Sequence, residues 1–544
     1  MRLSLTPAVL ALVVLGGLPE PASAQASLVS GRGAGVAMAP QLTFHPEEMA
    51  LAESVAGAPQ LAAFYGSNGL KPIFQGTDGA ALRAALHEAV AAAPSHGLPA
   101  ARYRPEELSS AGQGLEAELL HARALLRYLR DMTGGAIRPS DADPQIHRSV
   151  ARPDAARLMR DFVHAPDPRA FLAGLSPQHP DYLALQRALA GFEDLTVPAD
   201  LPRVPSALWR VGMRGDGVEP LRARLESIGF WAPSVDPRLY DAALSEAVAR
   251  YQAAVGLQAD GIAGPNTIAR LNGDAGAADD RRSRAITVAL ERMRWMADDD
   301  LQARHVWVNI PEFVARIMDG GTEVFRTRVV VGKTDHDMRT PEFSDRMEYV
   351  VVNPRWNVPR SITVREYLPR LKANRYAVPH LDIVDGQGKV VSRDRIDFSR
   401  YDAGSFPYRM RQKPSEDNAL GLVKFIFPNP WNIYLHDTPT KHLFGNARRA
   451  YSHGCVRVGD PFDLAAHLLS AQSADPLGLF QRALDSGRET WLALTPELPV
   501  HLVYFTAYPD ASGQIRFFDD IYGRDAAVWD RLQKAALDLG RESD

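Results

Sequence analysis

The spacing of apolar residues divides the 544-residue chain into a helical part and a later part with strand character. Between about Phe44 and Val204, strong helix formers are interrupted by Gly and Pro, as in short connected helices. From His305 the apolar period changes to two, which is typical of a half-buried strand. We therefore expect a multidomain α+β protein whose residues 44–205 form an α-helical N-terminal scaffold and whose mainly-β domain follows residue 300.

A second helical unit, residues 206–273, separates these two parts. Leu221, Leu225 and Ile228 form one helical face, and Pro265 marks the start of a third short helix. The unit resembles the peptidoglycan-binding domain found beside many wall enzymes, through the stretches Arg214-Gly215-Asp216 and Gly256-Leu257-Gln258-Ala259-Asp260-Gly261-Ile262-Ala263-Gly264-Pro265-Asn266-Thr267. A helical spacer that binds no glycan is the alternative.

The strand-rich domain is predicted in two parts, residues 301–357 and 423–544, the second with a C-terminal extension. Residues 274–300 between the helical unit and this domain read as a linker and a helix that packs on the scaffold. The mixed segment 358–422 interrupts the strand pattern for about sixty residues, which is too long for a bare loop. We expect an inserted cap or lid over a site.

The N-terminus predicts export. Met1-Arg2 precedes an apolar run at 8–18 and the small residues Ala22-Ser23-Ala24, so residues 1–24 read as a signal peptide and 25–43 as a flexible leader. An uncleaved anchor is the alternative; after cleavage we expect no stable membrane insertion. The net charge of −4 gives no electrostatic case for nucleic-acid binding.

The candidate chemistry centres on Cys455, the single cysteine. In an exported protein this thiol has no internal disulfide partner, which favours a reactive nucleophile. Its ordinary pKa of about 8.5 leaves little thiolate at neutral pH, so a base is needed. His453 would share a face with Cys455 in an extended run, and His436, at a predicted strand end, could reach the sulfur across neighbouring strands.

Other interpretations of these residues remain open at this stage. The amides of Gly454 and Cys455, with the Tyr434 hydroxyl, are candidate donors to an oxyanion. The thiol could instead be an inert small hydrophobe, or a zinc ligand together with His436 and His453. Arg457 fits a structural salt bridge and a carboxylate clamp equally well.

The stretch Ser452-His453-Gly454-Cys455-Val456-Arg457, preceded by Tyr434-Leu435-His436-Asp437-Thr438-Pro439, closely resembles the signature of the L,D-transpeptidases of bacterial cell walls, with a YkuD-type catalytic domain. The supporting stretches are Asn353-Pro354-Arg355-Trp356-Asn357-Val358-Pro359, Asn418-Ala419-Leu420-Gly421 and Phe518-Asp519-Asp520-Ile521-Tyr522-Gly523. The resemblance covers most of the chain and is strongest to the large periplasmic subgroup, which has a scaffold, a peptidoglycan-binding domain and a capped catalytic domain.

The resemblance implies roles for individual residues. Cys455 is the nucleophile, and His436 is its base, oriented by the carbonyl of Asp437. His453 and Tyr434 belong to the oxyanion region with Gly454. The implied substrate-binding residues are Arg457, Ser452, Trp356 and Asn357. The chain departs from the family pattern at Pro414-Ser415-Glu416-Asp417, where relatives tend to have Pro-Gly, which puts the hinge of the cap in question.

The implied reaction joins two peptidoglycan tetrapeptide stems by a 3–3 cross-link through a cysteine thioester, with release of D-Ala, and needs no metal or organic cofactor. The implied location is the periplasm, where other wall-synthesis enzymes are candidate partners and carbapenems would acylate Cys455. The alternatives are an L,D-carboxypeptidase-like hydrolase, an enzyme that attaches a lipoprotein to the wall, and a non-enzymatic wall-binding scaffold.

Overall fold

The computed structural model describes residues 44–195, 197–255, 257–274 and 276–537. The predicted signal peptide and the predicted leader both lie outside the described residues. The predicted fold class is confirmed: a helical N-terminal region and a small helical domain precede a mainly-β domain. None of the described helices is both long and apolar enough to cross a membrane.

The helices begin where local sequence signals place them. Proline occupies the first turn of several helices, and Asp154 and Asp241 accept hydrogen bonds from backbone N–H groups at helix N-termini. The helices of the N-terminal region are α1 (Pro46–Val55), α2 (Pro59–Ser67), α3 (Ala80–Ala92), α4 (Pro105–Ser110), α5 (Leu115–Gly134), α6 (Pro139–Ala142), α7 (Ala155–Val163), α8 (Pro168–Ala173) and α9 (Pro180–Asp194). The small helical domain contains α10 (Val218–Ser227), α11 (Ala242–Ala254) and α12 (Pro265–Leu271), and α13 (Gly276–Arg294) follows it.

The remaining elements belong to the C-terminal half. Its helices are α14 (Arg360–Ile362), α15 (Leu368–Ala373), α16 (Pro461–Leu469), α17 (Pro476–Asp485) and α18 (Arg524–Leu537). Its strands are β1 (His305–Asn309), β2 (Val314–Asp319), β3 (Thr322–Gly332), β4 (Phe343–Val352), β5 (Trp356–Asn357), β6 (Leu381–Val384), β7 (Arg409–Gln412), β8 (Val423–Ile426), β9 (Leu435–His436), β10 (Ala450–Ser452), β11 (Val456–Val458), β12 (Thr490–Val503), β13 (Ala507–Pro509) and β14 (Ile515–Phe517).

The main sheet positions the site. Its order is β10-β3-β11-β9-β8-β4-β12-β1-β2, and β2 also pairs with β3, so that eight of the described strands close on themselves. Alternate residues of these strands, such as Val306, Val350 and Val456, fill the interior together with Leu464 of α16. The site described below lies at β9 and β11 of this closed sheet.

Strand β1 differs from the expected half-buried strand because both of its faces are covered. Val306 packs in the interior of the sheet, whereas Trp307 packs in a second core with α9 and α13. The alternation at His305 to Ile310 therefore separates two cores rather than a core and solvent.

The inserted segment forms its own small sheet, in the order β5-β7-β6, around a separate core. This cap sheet starts at Trp356, two residues before the predicted boundary, because Trp356 and Asn357 pair with Gln412 and Arg411. The insertion returns to the main sheet at Val423, where β8 begins.

Candidate active site

The register of β9 and β11 brings the signature residues together. The two strands are parallel, with Leu435 beside Val456 and His436 beside Arg457. Because paired residues share a face of the sheet, His436 and Arg457 point to the same side. Together with Tyr434 and Cys455 they line one open cleft between the main sheet and the cap, with a volume of about 2140 Å³ including its mouth.

The nucleophile candidate lies in a bend rather than in the extended run that the sequence suggested. Residues 453–455 connect β10 to β11, and Gly454 takes a φ of 111°, which favours glycine. Strand alternation therefore does not place His453 on the side of Cys455. Instead, His453 Nε2 lies 2.5 Å from Oε1 of Glu366, which belongs to the cap.

The Cys455 thiol has polar neighbours. Its side chain is partly exposed, and the Asn432 carbonyl accepts a hydrogen bond from Sγ at 3.6 Å. Desolvation raises the pKa of Cys455 to about 11, although hydrogen bonds from Tyr434 and the charges of Arg457 and Lys424 act in the opposite direction. The resting thiol is therefore protonated at neutral pH.

His436 is buried and neutral. Its Nδ1 donates to the carbonyl oxygen of Asp437 at 2.5 Å, as predicted, which leaves Nε2 unprotonated in the neutral ring. Burial, together with the charges of Arg457, Lys424 and Lys441, lowers the pKa of His436 to about 3. Among the described residues, neither His436 nor His453 makes a hydrogen bond to the sulfur, so the ring and the thiol share the cleft without a direct bond.

The Asp437 side chain ties the strand of His436 to the end of the cap. Its carboxylate accepts hydrogen bonds from the Leu422 N–H at 2.9 Å and from Lys441 Nζ at 2.5 Å. A Cβ at Gly421 would collide with this carboxylate, and Gly421 has a φ of 60°. The last residues of the inserted segment therefore pack directly against Asp437, which follows His436 in the sequence.

One predicted oxyanion donor is already engaged. Ser452 Oγ accepts from the Gly454 N–H at 3.1 Å and donates to the Cys455 carbonyl at 2.5 Å, so it braces the bend. The Cys455 N–H has no hydrogen-bond partner within the described part of the chain. The Tyr434 hydroxyl interacts with the sulfur, and burial together with this interaction raises the pKa of Tyr434. The Cys455 amide and the Tyr434 hydroxyl are therefore left as the candidate donors, because the Gly454 amide is already engaged.

Two bracing residues were missed by the sequence analysis. Buried Thr340 donates through Oγ1 to the Gly454 carbonyl at 2.7 Å and accepts from the Gly332 N–H at 2.9 Å. The Tyr522 hydroxyl donates to the Gly332 carbonyl at 2.6 Å. Tyr522 lies in the stretch 518–523 that carried the resemblance, but only the fold places it beside the bend.

The other predicted residues occupy the walls of the same cleft. Arg457 donates to Thr440 Oγ1 at 3.0 Å, and its buried Nε has no acceptor within the described chain. Trp356 and Asn357 line the cleft from the cap, and Ser452 and His453 also reach it. Gly454 and Asp437 lie behind the surface. Within the described residues, no three His, Cys, Asp or Glu side chains converge as a metal ion would require.

The N-terminal region also contributes to the cleft. Gln145 and His147 line it, and the ring of His147 stacks on Trp431 with centroids 4.1 Å apart. The backbone of this segment pairs with Glu342 in the mainly-β domain, through the His147 N–H and the Glu342 carbonyl at 2.8 Å. No spacing in the sequence signals this contribution.

Comparisons with known proteins agree with this architecture. Residues 303–481 match the family model described as L,D-transpeptidase catalytic domain, residues 59–189 the scaffold domain, and residues 214–271 the "Putative peptidoglycan binding domain". A curated relative from Haemophilus influenzae, named "Putative L,D-transpeptidase", is 37% identical over 237 residues, which cover 42% of this chain and 47% of the relative. The chain thus spans about half the length of this relative.

Among solved structures, the crystal structure of an L,D-transpeptidase from Xylanimonas cellulosilytica matches 56% of this chain and 98% of its own, with 15% identity and a TM-score of 0.15, a score that carries no argument. The chain is therefore similar, in order along the sequence, to a scaffold domain, a domain of peptidoglycan-binding type and an L,D-transpeptidase catalytic domain.

Proposed function

We propose that this protein is an L,D-transpeptidase that forms 3–3 cross-links in peptidoglycan through a thioester on Cys455. The observation that carries the proposal is the register of β9 and β11, which puts a thiol, a neutral imidazole and an unpaired guanidinium on one face of a cleft. The site would act in the periplasm on tetrapeptide stems, and the domain at 214–271 would hold the protein on the wall.

In the first step, Cys455 Sγ attacks the carbonyl that joins the third residue of the stem to its terminal D-Ala. Because the thiol is protonated at rest, we expect attack to be concerted with proton transfer to His436 Nε2, whose Nδ1–H is held by Asp437. The Cys455 N–H and the Tyr434 hydroxyl stabilise the oxyanion. The protonated His436 then gives its proton to the leaving amine of D-Ala, and a thioester remains.

In the second step, the side-chain amine of another stem attacks the thioester carbonyl. His436 accepts a proton from this amine and returns one to the departing sulfur, which restores the thiol and the neutral ring. The two steps need no cofactor, because the stems, Cys455 and His436 account for every bond and proton. From the resemblance to the L,D-transpeptidases, we also expect carbapenems to acylate the same sulfur.

The charge of the cleft fits this substrate. The lining carries five cations, Arg339, Arg355, Arg360, Lys424 and Arg457, against two acids, Asp337 and Glu366. Peptide stems bear several carboxylates, so the excess positive charge attracts them and opposes their escape.

The decisive experiment incubates purified protein with tetrapeptide muropeptides and follows products by mass spectrometry. We expect 3–3 dimers, free D-Ala and a mass adduct on Cys455 with the wild type, and none of these with Cys455→Ala. Cross-links that survive in Cys455→Ala would refute the proposal. Free tripeptide stems without dimers would instead identify a hydrolase.

A second comparison separates the two histidines. We expect His436→Ala to lower the acylation rate by about 10²-fold or more, because it removes the base, and His453→Ala to have a smaller effect. His442→Ala serves as the control, since that exposed histidine lies outside the cleft. The reverse ranking would make His453 the base.

A further inference from the structure

Two cations of the cleft, Lys424 and Arg457, flank His436 but take part in neither step of the proposed reaction. In the register of the sheet, Lys424 of β8 lies opposite His436 of β9, and His436 lies opposite Arg457 of β11. The three side chains therefore form a row across three neighbouring strands, on the face of the sheet that carries Cys455. Lys424, His436 and Arg457 all line the cleft.

Neither cation of this row is neutralised by the protein. Within the described residues, no carboxylate lies at ion-pair distance from Lys424 Nζ or from the Arg457 guanidinium. Lys424 instead lies over the rings of Tyr434 and Trp491, 5.8 and 5.4 Å from their centroids. The charge of Glu489 acts to raise the pKa of Lys424, but Glu489 is engaged elsewhere. Its Oε1 accepts a hydrogen bond from the backbone N–H of Arg355.

The guanidinium of Arg457 also has a donor that the protein does not use. Its Nη1 is used by Thr440, but its Nε is buried without an acceptor in the described chain. A buried donor without a partner costs free energy, and it is a common mark of a ligand site. Lys424 and Arg457 thus both line the cleft without a carboxylate partner in the described chain, which leaves them available to an anion that enters it.

The spacing selects which anion fits. Cys455 precedes Arg457 by two residues, so the backbone of the row lies within about 7 Å of the backbone of the nucleophile. In a stem whose carbonyl carbon is at Sγ, the carboxylate of the leaving residue is one residue further, about 3.5 Å away. The long side chains of Lys424 and Arg457 cover the remaining distance.

We propose that Lys424 and Arg457 together bind the terminal carboxylate of the leaving residue, so that they select stems that end one residue beyond the attacked carbonyl. This inference rests on the proposed function and names the group that the site recognises. Lys424 is then a specificity residue, and stems whose terminus is extended or amidated are excluded because they cannot neutralise the two cations.

The test compares a tetrapeptide stem with the same stem ending in a carboxamide. Release of the terminal residue gives kcat/KM for each, and we expect the wild type to prefer the carboxylate by about ten- to a hundredfold, as for a lost charge-assisted hydrogen bond. Lys424→Met and Arg457→Met should each reduce this preference towards one, by slowing only the carboxylate substrate. Lys424→Arg should retain most of it.

The matched control is Lys413→Met, which removes an exposed lysine of the cap that lies 3.7 Å from Asp382 and outside the cleft. It should keep the preference. A wild type without preference, or variants at 424 and 457 that keep it, would overturn the inference. The inference would also fail if the variants lowered kcat/KM equally for both substrates and slowed alkylation of Cys455. The two cations would then stabilise the thiolate rather than bind the carboxylate.

Binding separates this inference from the proposed reaction. Calorimetry of the two stems on Cys455→Ala protein measures recognition without chemistry, and the carboxylate stem should bind more tightly by a similar factor, which Lys424→Met abolishes. If the wild type releases no terminal residue from either stem, the proposed function is refuted. If the Cys455→Ala protein binds the two stems equally, binding of the carboxylate by Lys424 and Arg457 is refuted.

Discussion

Cys455 is held as a neutral thiol in the resting site. Its pKa is raised to about 11 because the sulfur is desolvated, and the hydrogen bonds from Tyr434 compensate only in part. Alkylation by iodoacetamide should therefore be slow at pH 7 and rise about tenfold per pH unit towards pH 11, because only the thiolate reacts. Tyr434→Phe should move this profile to higher pH. A plateau near pH 7 would contradict the assignment.

Thr340 is the residue that most directly fixes the bend of Cys455. Thr340→Val keeps the shape of the side chain but leaves the Gly454 carbonyl and the Gly332 N–H without their partner. We expect the free energy of unfolding to fall by about 1–3 kcal/mol and acylation of Cys455 to slow, whereas Thr340→Ser keeps both. Thermal unfolding and acyl-enzyme mass would measure the two effects, and a Val variant equal to the wild type would rule out the brace.

At the scale of elements, the cap is joined to the site at two points. Asp437 binds the Leu422 N–H where the insertion returns, and Glu366 pairs with His453 of the bend. Arg365, next to Glu366, also pairs with Asp337 of the main domain. Tyr434 also packs against the core of the cap, so both polar contacts and apolar packing hold the cap over the cleft. Of the two, the exposed polar contacts break more readily.

Glu366→Gln should loosen this closure. We expect faster amide hydrogen exchange over residues 363–373 and a KM for stems raised about two- to tenfold, with kcat changed less, because the cap orders the substrate rather than reacting with it. Glu416→Gln, at an exposed acid of the same insertion, is the control. Unchanged exchange in the Glu366 variant would show that the pair does not hold the cap.

At the scale of the whole molecule, the cleft around Cys455 is lined by both the mainly-β domain and the N-terminal region. His147 stacks on Trp431, and Trp431 precedes Asn432, whose carbonyl contacts the thiol. His147→Ala should lower kcat/KM by about two- to tenfold, the worth of one aromatic pair, and change the fluorescence of Trp431. His164→Ala, at an exposed scaffold histidine, should leave both unchanged. Full activity in His147→Ala would confine the site to the catalytic domain and cap.

Much of the candidate site could be predicted because its chemistry is local in the chain. Residue type alone identifies the lone thiol, the adjacent glycine and a histidine at a strand end. The contact of His436 with the Asp437 carbonyl joins residues that are neighbours in sequence. The extended run at His453, by contrast, was a wrong expectation, because period-two reasoning does not detect the bend at Gly454.

The sequence by itself determined the division into helical and strand-rich parts, the inserted cap and the identity of the nucleophile candidate, since periodicity and residue type are properties of short segments. Only the tertiary structure decided what faces the sulfur. The row of Lys424, His436 and Arg457, the brace from Thr340 and Tyr522, and the stacking of His147 on Trp431 join segments far apart in the chain. Such contacts depend on strand register and domain packing, which no local pattern encodes.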